Sequence, residues 1–243
     1  GATFYLMDFV DGWSPIGEPH WPEPFGSDLG ARQGLAFELV DAIARLSRVD
    51  WRARGLEGLG RPDGFHDRQV DRWYAHLRRF EFREIPGLND AGDWLRGHRP
   101  RNYQPGIMHG DYQFANVMFH HGGPARLAAI VDWEMGTVGD PLLDLAWVVM
   151  GWPDEGEVRT GGYVDYTGMP NRDDLLDHYA TVSGRDVDDI DYYVVLARFK
   201  LAIVLEGGYA RYVNGGADNP RMEAFGGVVL DLAARAAELV RTI

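Results

Sequence analysis

Stretches of helical periodicity lie on both sides of one short block of strand-forming residues, and that interruption limits the chain to a mostly helical α+β fold. On the N-terminal side Leu35, Leu39, Ile43 and Leu46 fall on one face of a helix over about 27–47. Val70, Trp73, Leu77 and Phe80 repeat the pattern, and a shorter helix is expected from Leu88 to Arg96. On the C-terminal side Asp140-Pro141 reads as a cap with proline in the first helical position, opening an apolar helix through Met150. Asn171 caps a helix that ends near Gly184. Ile190 to Val213 reads as a long helix interrupted at Gly207-Gly208, and Asn219-Pro220 opens the last. Between these blocks Ile107-Met108 leads into His109-Gly110-Asp111, and the runs Val117 to His120 and Leu127 to Val131 flank Gly122-Gly123-Pro124 as a β-hairpin. The first apolar run, Thr3 to Val10, reads as a strand that turns at Asp11-Gly12, and residues 13–26, with four prolines and two tryptophans, read as an irregular connector.

Composition closes off several function classes. A chain of 243 residues with 45% hydrophobic and 25% charged residues can bury a substantial core. The absence of cysteine excludes disulfides, thiolate metal sites and cysteine nucleophiles, and it suits a reducing cytoplasm. No basic leader with an apolar stretch and a cleavage site is visible, and no apolar run reaches the length of a membrane span. A net charge of −13 argues against nucleic acid, whose binders need a cationic face. The arginines of 45–54 and 61–83 alternate with acidic residues and read as solvated helix faces. Of the 24 basic residues 23 are arginine, leaving Lys200 as the one lysine.

The chemistry concentrates in His109-Gly110-Asp111-Tyr112-Gln113-Phe114-Ala115-Asn116, followed 16 residues later by Asp132 at a strand end. A carboxylate, a carboxamide and a second carboxylate around one short loop are the parts phosphoryl transfer needs. One carboxylate takes the proton of an attacking hydroxyl, and the other two groups are hard oxygen ligands for Mg²⁺. Blander readings stand beside this one. Asp111 and Asn116 are common turn residues, and Asp140 is explained as a helix cap. Asp144, inside an apolar helix, needs partners and reads as a structural brace. Glu134 is either a substrate or metal contact or a solvated side chain. His120-His121 lacks a third ligand at useful spacing and reads as a surface turn. The aromatic pairs Trp73-Tyr74, Trp147-Trp152 and Tyr192-Tyr193 read as core. A metal-dependent hydrolase using the same carboxylates would need a denser ligand set.

These motifs resemble the aminoglycoside phosphotransferase-like small-molecule kinases, which share the protein-kinase fold. The resemblance is carried by His109-Gly110-Asp111 through Asn116, by Ile130-Val131-Asp132-Trp133-Glu134 and by Gly139-Asp140-Pro141-Leu142-Leu143-Asp144-Leu145-Ala146. The run Leu6 to Gly12 resembles that family's hinge. The resemblance implies the C-terminal lobe of a kinase-like fold over residues 13–243, preceded by a hinge strand over 1–12, with ATP and Mg²⁺ as cofactors and a small-molecule hydroxyl as acceptor. It implies Asp111 as catalytic base, Asn116 and Asp132 as metal ligands, and His109 and Asp144 as supports of the loop. Backbone groups of Asp8 and Val10 would face adenine, with Met7 lining that pocket. Residues 140–147 look most like the branch fused to acyl-CoA dehydrogenases, which points to hydroxylated acyl acceptors, whereas the acidic charge suits cationic aminoglycosides. Trp133-Glu134 stands where protein kinases carry Phe-Gly, against a protein substrate. No Gly-rich loop precedes the hinge and the one lysine lies far downstream, so the expectation is that the nucleotide-binding lobe is missing and that these residues alone are inactive. The competing reading is a non-catalytic, kinase-derived binding module.

Overall fold

A computed structural model describes residues 6–17, 21–153, 164–216 and 218–243. Asp28 caps the first helix, α1 (Leu29–Ser47), through hydrogen bonds from the Gly30 and Ala31 amides at 2.8 and 3.3 Å. Its apolar stripe, with Leu35, Leu39 and Ile43, enters the core. Helices α2 (Phe65–Leu77) and α3 (Leu88–Gly97) follow.

Four short strands come next. β1 (Gly106–Met108) pairs antiparallel with β4 (Thr137–Gly139), and β2 (Val117–Phe119) pairs antiparallel with β3 (Leu127–Ile130), Val117 opposite Ile130. The second pair is the expected hairpin. β4 has no counterpart among the sequence expectations, because three residues ending in glycine show no alternation.

The remaining helices form the body of the molecule. All eight residues of α4 (Leu142–Val149), Asp144 included, are buried. An Asn171–Asp174 capping box opens α5 (Arg172–Ser183), and Gly184 closes it at φ +71°. α6 (Ile190–Val213) runs through the core, packed on α4 and along α7 (Pro220–Thr242), which Asn219 caps. Contrary to expectation, α6 does not break at Gly207-Gly208. A Cβ on Gly207 would lie 3.1 Å from Phe80 Cζ, and one on Gly208 2.9 Å from Phe225 Cδ2, so these glycines admit neighbouring rings rather than ending the helix.

Two further readings change. Leu6 to Gly12 contains no strand, because the segment has no partner until the isolated bridge between Trp13 and Phe119, while Thr3 to Tyr5 lie outside the described residues. Asp140 is more than a cap. One oxygen accepts from the Leu142 amide at 3.2 Å, and the other accepts from Tyr193 Oη at 2.6 Å and pairs with His66 Nε2 at 2.8 Å. This carboxylate therefore ties α2, α4 and α6 together. Among the described residues no helix is long and apolar enough to cross a membrane.

Candidate active site

The loop from His109 to Asn116 joins β1 to β2, and its backbone is held from several directions. The Asp144 carboxylate, presented by α4, accepts from the amides of His109 at 2.6 Å and Gly110 at 2.8 Å. His109 is fully buried. Its Nδ1 accepts from the Asp111 amide at 3.3 Å, which places the ring proton on Nε2, donating to the Val131 carbonyl at 2.8 Å. Gly110 sits at φ +84°, and a Cβ there would lie 2.6 Å from the Met135 carbonyl oxygen, so only glycine fits this turn. Tyr112 anchors the loop by donating to the Leu39 carbonyl at 2.9 Å.

This scaffold presents Asp111. Asn116 Nδ2 donates to one of its carboxylate oxygens at 2.9 Å and to its carbonyl at 2.7 Å, and Gln113 Nε2 donates to the other carboxylate oxygen at 2.9 Å. Each carboxylate oxygen keeps a lone pair for a further donor. Burial pushes the Asp111 carboxyl above its ordinary value, against the Asn116 hydrogen bond and the positive charge of Lys200. Burial likewise raises Asp144.

The second carboxylate is placed by β3. The Val131 amide donates to the Asn116 carbonyl at 2.9 Å, and the Val131 carbonyl takes the His109 bond, so Asp132 follows directly from two fixed points on the loop. Asp132 is exposed, and it is the one non-glycine residue at positive φ, 63°, among those described. A conformation that costs on the order of 1–3 kcal/mol persists where surrounding structure enforces it, and such outliers cluster at functional sites. Trp133 packs its ring 5.0 Å from that of His109.

The donor set fits Mg²⁺. Asn116 spends its amide protons on Asp111, and neither its Oδ1 nor the Asp132 carboxylate has a protein hydrogen-bond partner among the described residues. Both are hard oxygen donors. No group of three His, Cys, Asp or Glu among the described residues could hold an ion alone, so phosphate and water oxygens would complete the shell.

Other candidates lie apart. Met7 and Asp8 are exposed and Val10 half-buried, in the segment ahead of Trp13, which bonds to the outer edge of β2. None of the three forms a hydrogen bond or ion pair with Asp111, Asn116 or Asp132. Glu134 is exposed and without such a partner among the described residues. His120 and His121 are exposed in the hairpin turn, His121 lying 3.6 Å from Asp11.

Two features escaped the sequence reading. Gln113 reaches from Asp111 to the wall of a cavity of about 540 Å³, within the range of small-molecule sites. Its walls include Phe114, Trp147, Trp152 and Leu201, with Arg198 and Arg235 also lining it. Two tryptophans read as core are therefore also cavity wall. Lys200, on α6, is buried beneath the loop and donates to the Gly110 carbonyl. Its being the single lysine was a signal, but its partner lies 90 residues away.

The chain is similar to several known proteins. A family model described as the phosphotransferase enzyme family matches residues 1–176. Acyl-CoA dehydrogenase family member 11 of Gallus gallus is 30% identical over 100% of this chain and 32% of its own length. The Homo sapiens protein of the same name is 28% identical over 98% of this chain and 31% of its own. The chain thus spans about a third of the length of these curated relatives. A Ralstonia eutropha crystal structure, provisionally named an aminoglycoside phosphotransferase, is 29% identical with a TM-score of 0.84, covering 97% of this chain and 72% of that one.

Proposed function

Because this chain belongs to the phosphotransferase enzyme family, we propose that it transfers the γ-phosphate of ATP, with Mg²⁺, to a hydroxyl of a small molecule, and that the acceptor is of the hydroxyacyl type. The observation that carries the reading is the Asp111 carboxylate, oriented by Asn116 on one side and, on the other, by a glutamine that also lines an apolar cavity.

Asp111 accepts a hydrogen bond from the acceptor hydroxyl and takes its proton as the oxygen attacks the γ-phosphorus. The new O–P bond forms as the bond to the bridging oxygen of ADP breaks. Asn116 Oδ1 and the Asp132 carboxylate would hold the metal, which would supply positive charge to offset that of the phosphates. His109 and Asp144 keep the loop in register, and the backbone of Asp8 and Val10, with Met7, meets the adenine edge. Glu134 contacts the acceptor. A cysteine-free chain of this kind suits the cytoplasm.

The cavity favours an acyl chain over an aminoglycoside. Its walls are largely apolar, and its charged lining is two arginines, Arg198 and Arg235, with one carboxylate, Asp231, which pairs with Arg235 at 3.0 Å, so it offers a polycation no acidic cluster. Each methylene buried there is worth about 0.8 kcal/mol. In the intact gene product, hydroxyacyl esters are therefore expected to accept phosphate from Mg·ATP, with the acceptor KM falling ~3- to 4-fold for each added methylene until the cavity is filled. Aminoglycosides are expected to be poor acceptors. A KM indifferent to chain length would remove the acyl reading. Failure to phosphorylate any hydroxyl would favour a binding module, a reading suggested by the one lysine being buried under the loop rather than facing a phosphate site.

A further inference from the structure

Lys200 sits where an apolar residue would be cheaper. It is 4% exposed, and taking an ammonium out of water costs several kcal/mol unless partners compensate. Its partners are specific. Nζ donates to the Gly110 carbonyl and lies 5.5 Å from the Trp73 ring centroid and 5.1 Å from that of Trp147, within cation–π range. The Asp144 and Asp111 carboxylates favour its charge, and Arg72 on α2 opposes it.

The bond to Gly110 falls at a particular peptide. The unit joining Gly110 to Asp111 offers one oxygen and one N–H. Lys200 takes the oxygen, and His109 Nδ1 takes the N–H at 3.3 Å. The preceding peptide N–H, that of Gly110, goes to Asp144 at 2.8 Å. The plane from which the Asp111 side chain springs is thus held at both ends, and Gly110 at φ +84° provides the bend. Without Lys200 the buried Gly110 carbonyl would lose its hydrogen-bond donor. That costs about 1–3 kcal/mol and favours rotation of the peptide.

We propose that Lys200 is a positioning residue for phosphoryl transfer: by holding the Gly110 carbonyl from beneath, it fixes the peptide that aims the Asp111 carboxylate at the acceptor hydroxyl. The proposal rests on the phosphotransferase reading of Asp111. Lys200 does not line the cavity, which it meets only from behind Trp147, and bonds to neither Asn116 nor Asp132, so its loss is expected to fall on the chemical step rather than on binding.

The test is steady-state kinetics of Lys200→Met, Lys200→Gln and Asp111→Asn in the intact gene product with Mg·ATP and a hydroxyacyl acceptor. Small misplacements of a reacting group cost up to ~10²-fold. Lys200→Met is therefore expected to lower kcat by ~10- to 100-fold with the KM values for ATP and acceptor each within about threefold of the unsubstituted protein. Lys200→Gln, which keeps a neutral donor, is expected to fall less in kcat with the same split. It decides the matter should the Met variant fail to fold. A kcat within about threefold of normal, or a rise in KM at unchanged kcat, overturns the proposal. An inactive Asp111→Asn beside a fully active Lys200→Met removes the role of Lys200 and leaves the phosphotransfer reading standing. An active Asp111→Asn removes both.

Discussion

At the scale of single residues, burying the Lys200 charge leaves a thermodynamic trace separate from catalysis. Desolvation lowers its pKa from 10.5 to about 8, against the pull of Asp144 and Asp111. The folded-state value is depressed, so below about pH 8 both states are protonated and folding carries the whole penalty. Between about pH 8 and 10.5 the folded state gives up its proton first, and stability is regained as pH rises. At 1.36 kcal/mol per unit the swing is about 3 kcal/mol. Denaturant unfolding at several alkaline pH values should therefore show the unsubstituted chain gaining on Lys200→Met across that window. Parallel profiles would mean that the ammonium is not desolvated. At this scale the sequence was legible where chemistry is local. Asp111 and Asn116 share one loop and meet in space, whereas the pairing of Lys200 with Gly110 spans 90 residues and leaves no periodic mark.

Elements meet at glycines, and the structure separates those that permit a turn from those that permit an approach. Gly184, closing α5 at φ +71°, has nothing within 4 Å of where a Cβ would stand. Gly87, ahead of α3 at φ +84°, would place a Cβ 2.9 Å from both the Ala233 carbonyl oxygen and Ala237 Cβ on α7. Alanine at either site meets the left-handed backbone penalty of about 1–2 kcal/mol. At Gly87 it must also push α3 off α7, and overpacking of that kind adds about 1–3 kcal/mol. Gly87→Ala is expected to melt several degrees below Gly184→Ala, at ~2–4 °C per kcal/mol for a chain of this size. Equal melting temperatures would show that the α3–α7 contact is loose. The same distinction explains the misreading of α6. Gly207-Gly208 signals a helix end by propensity, but the rings of Phe80 and Phe225 occupy the space that side chains would take.

Across the whole molecule, helical periodicity and caps such as Asn171 and Asn219 located the long elements, because their signals are local and repeated. β4 went unpredicted and no strand forms over Leu6 to Val10, since strand formation depends on a partner that a local pattern does not reveal. The cavity was illegible for a related reason. It is assembled from α1, the active-site loop, α4, α6 and α7, and two of its walls are tryptophans that also serve the core. Net charge described the average surface and missed the arginines on the cavity wall. What these distant parts share is Asp111, on which the loop supports and the cavity-lining glutamine converge. The most direct measurement is therefore the rate of γ-phosphate transfer from Mg·ATP to a hydroxyacyl acceptor by the intact gene product carrying Asp111→Asn, an isosteric change that removes the proton acceptor. A fall in kcat of at least ~10²-fold, with ATP still bound, is the predicted result. A turnover close to that of the unsubstituted protein would contradict the account.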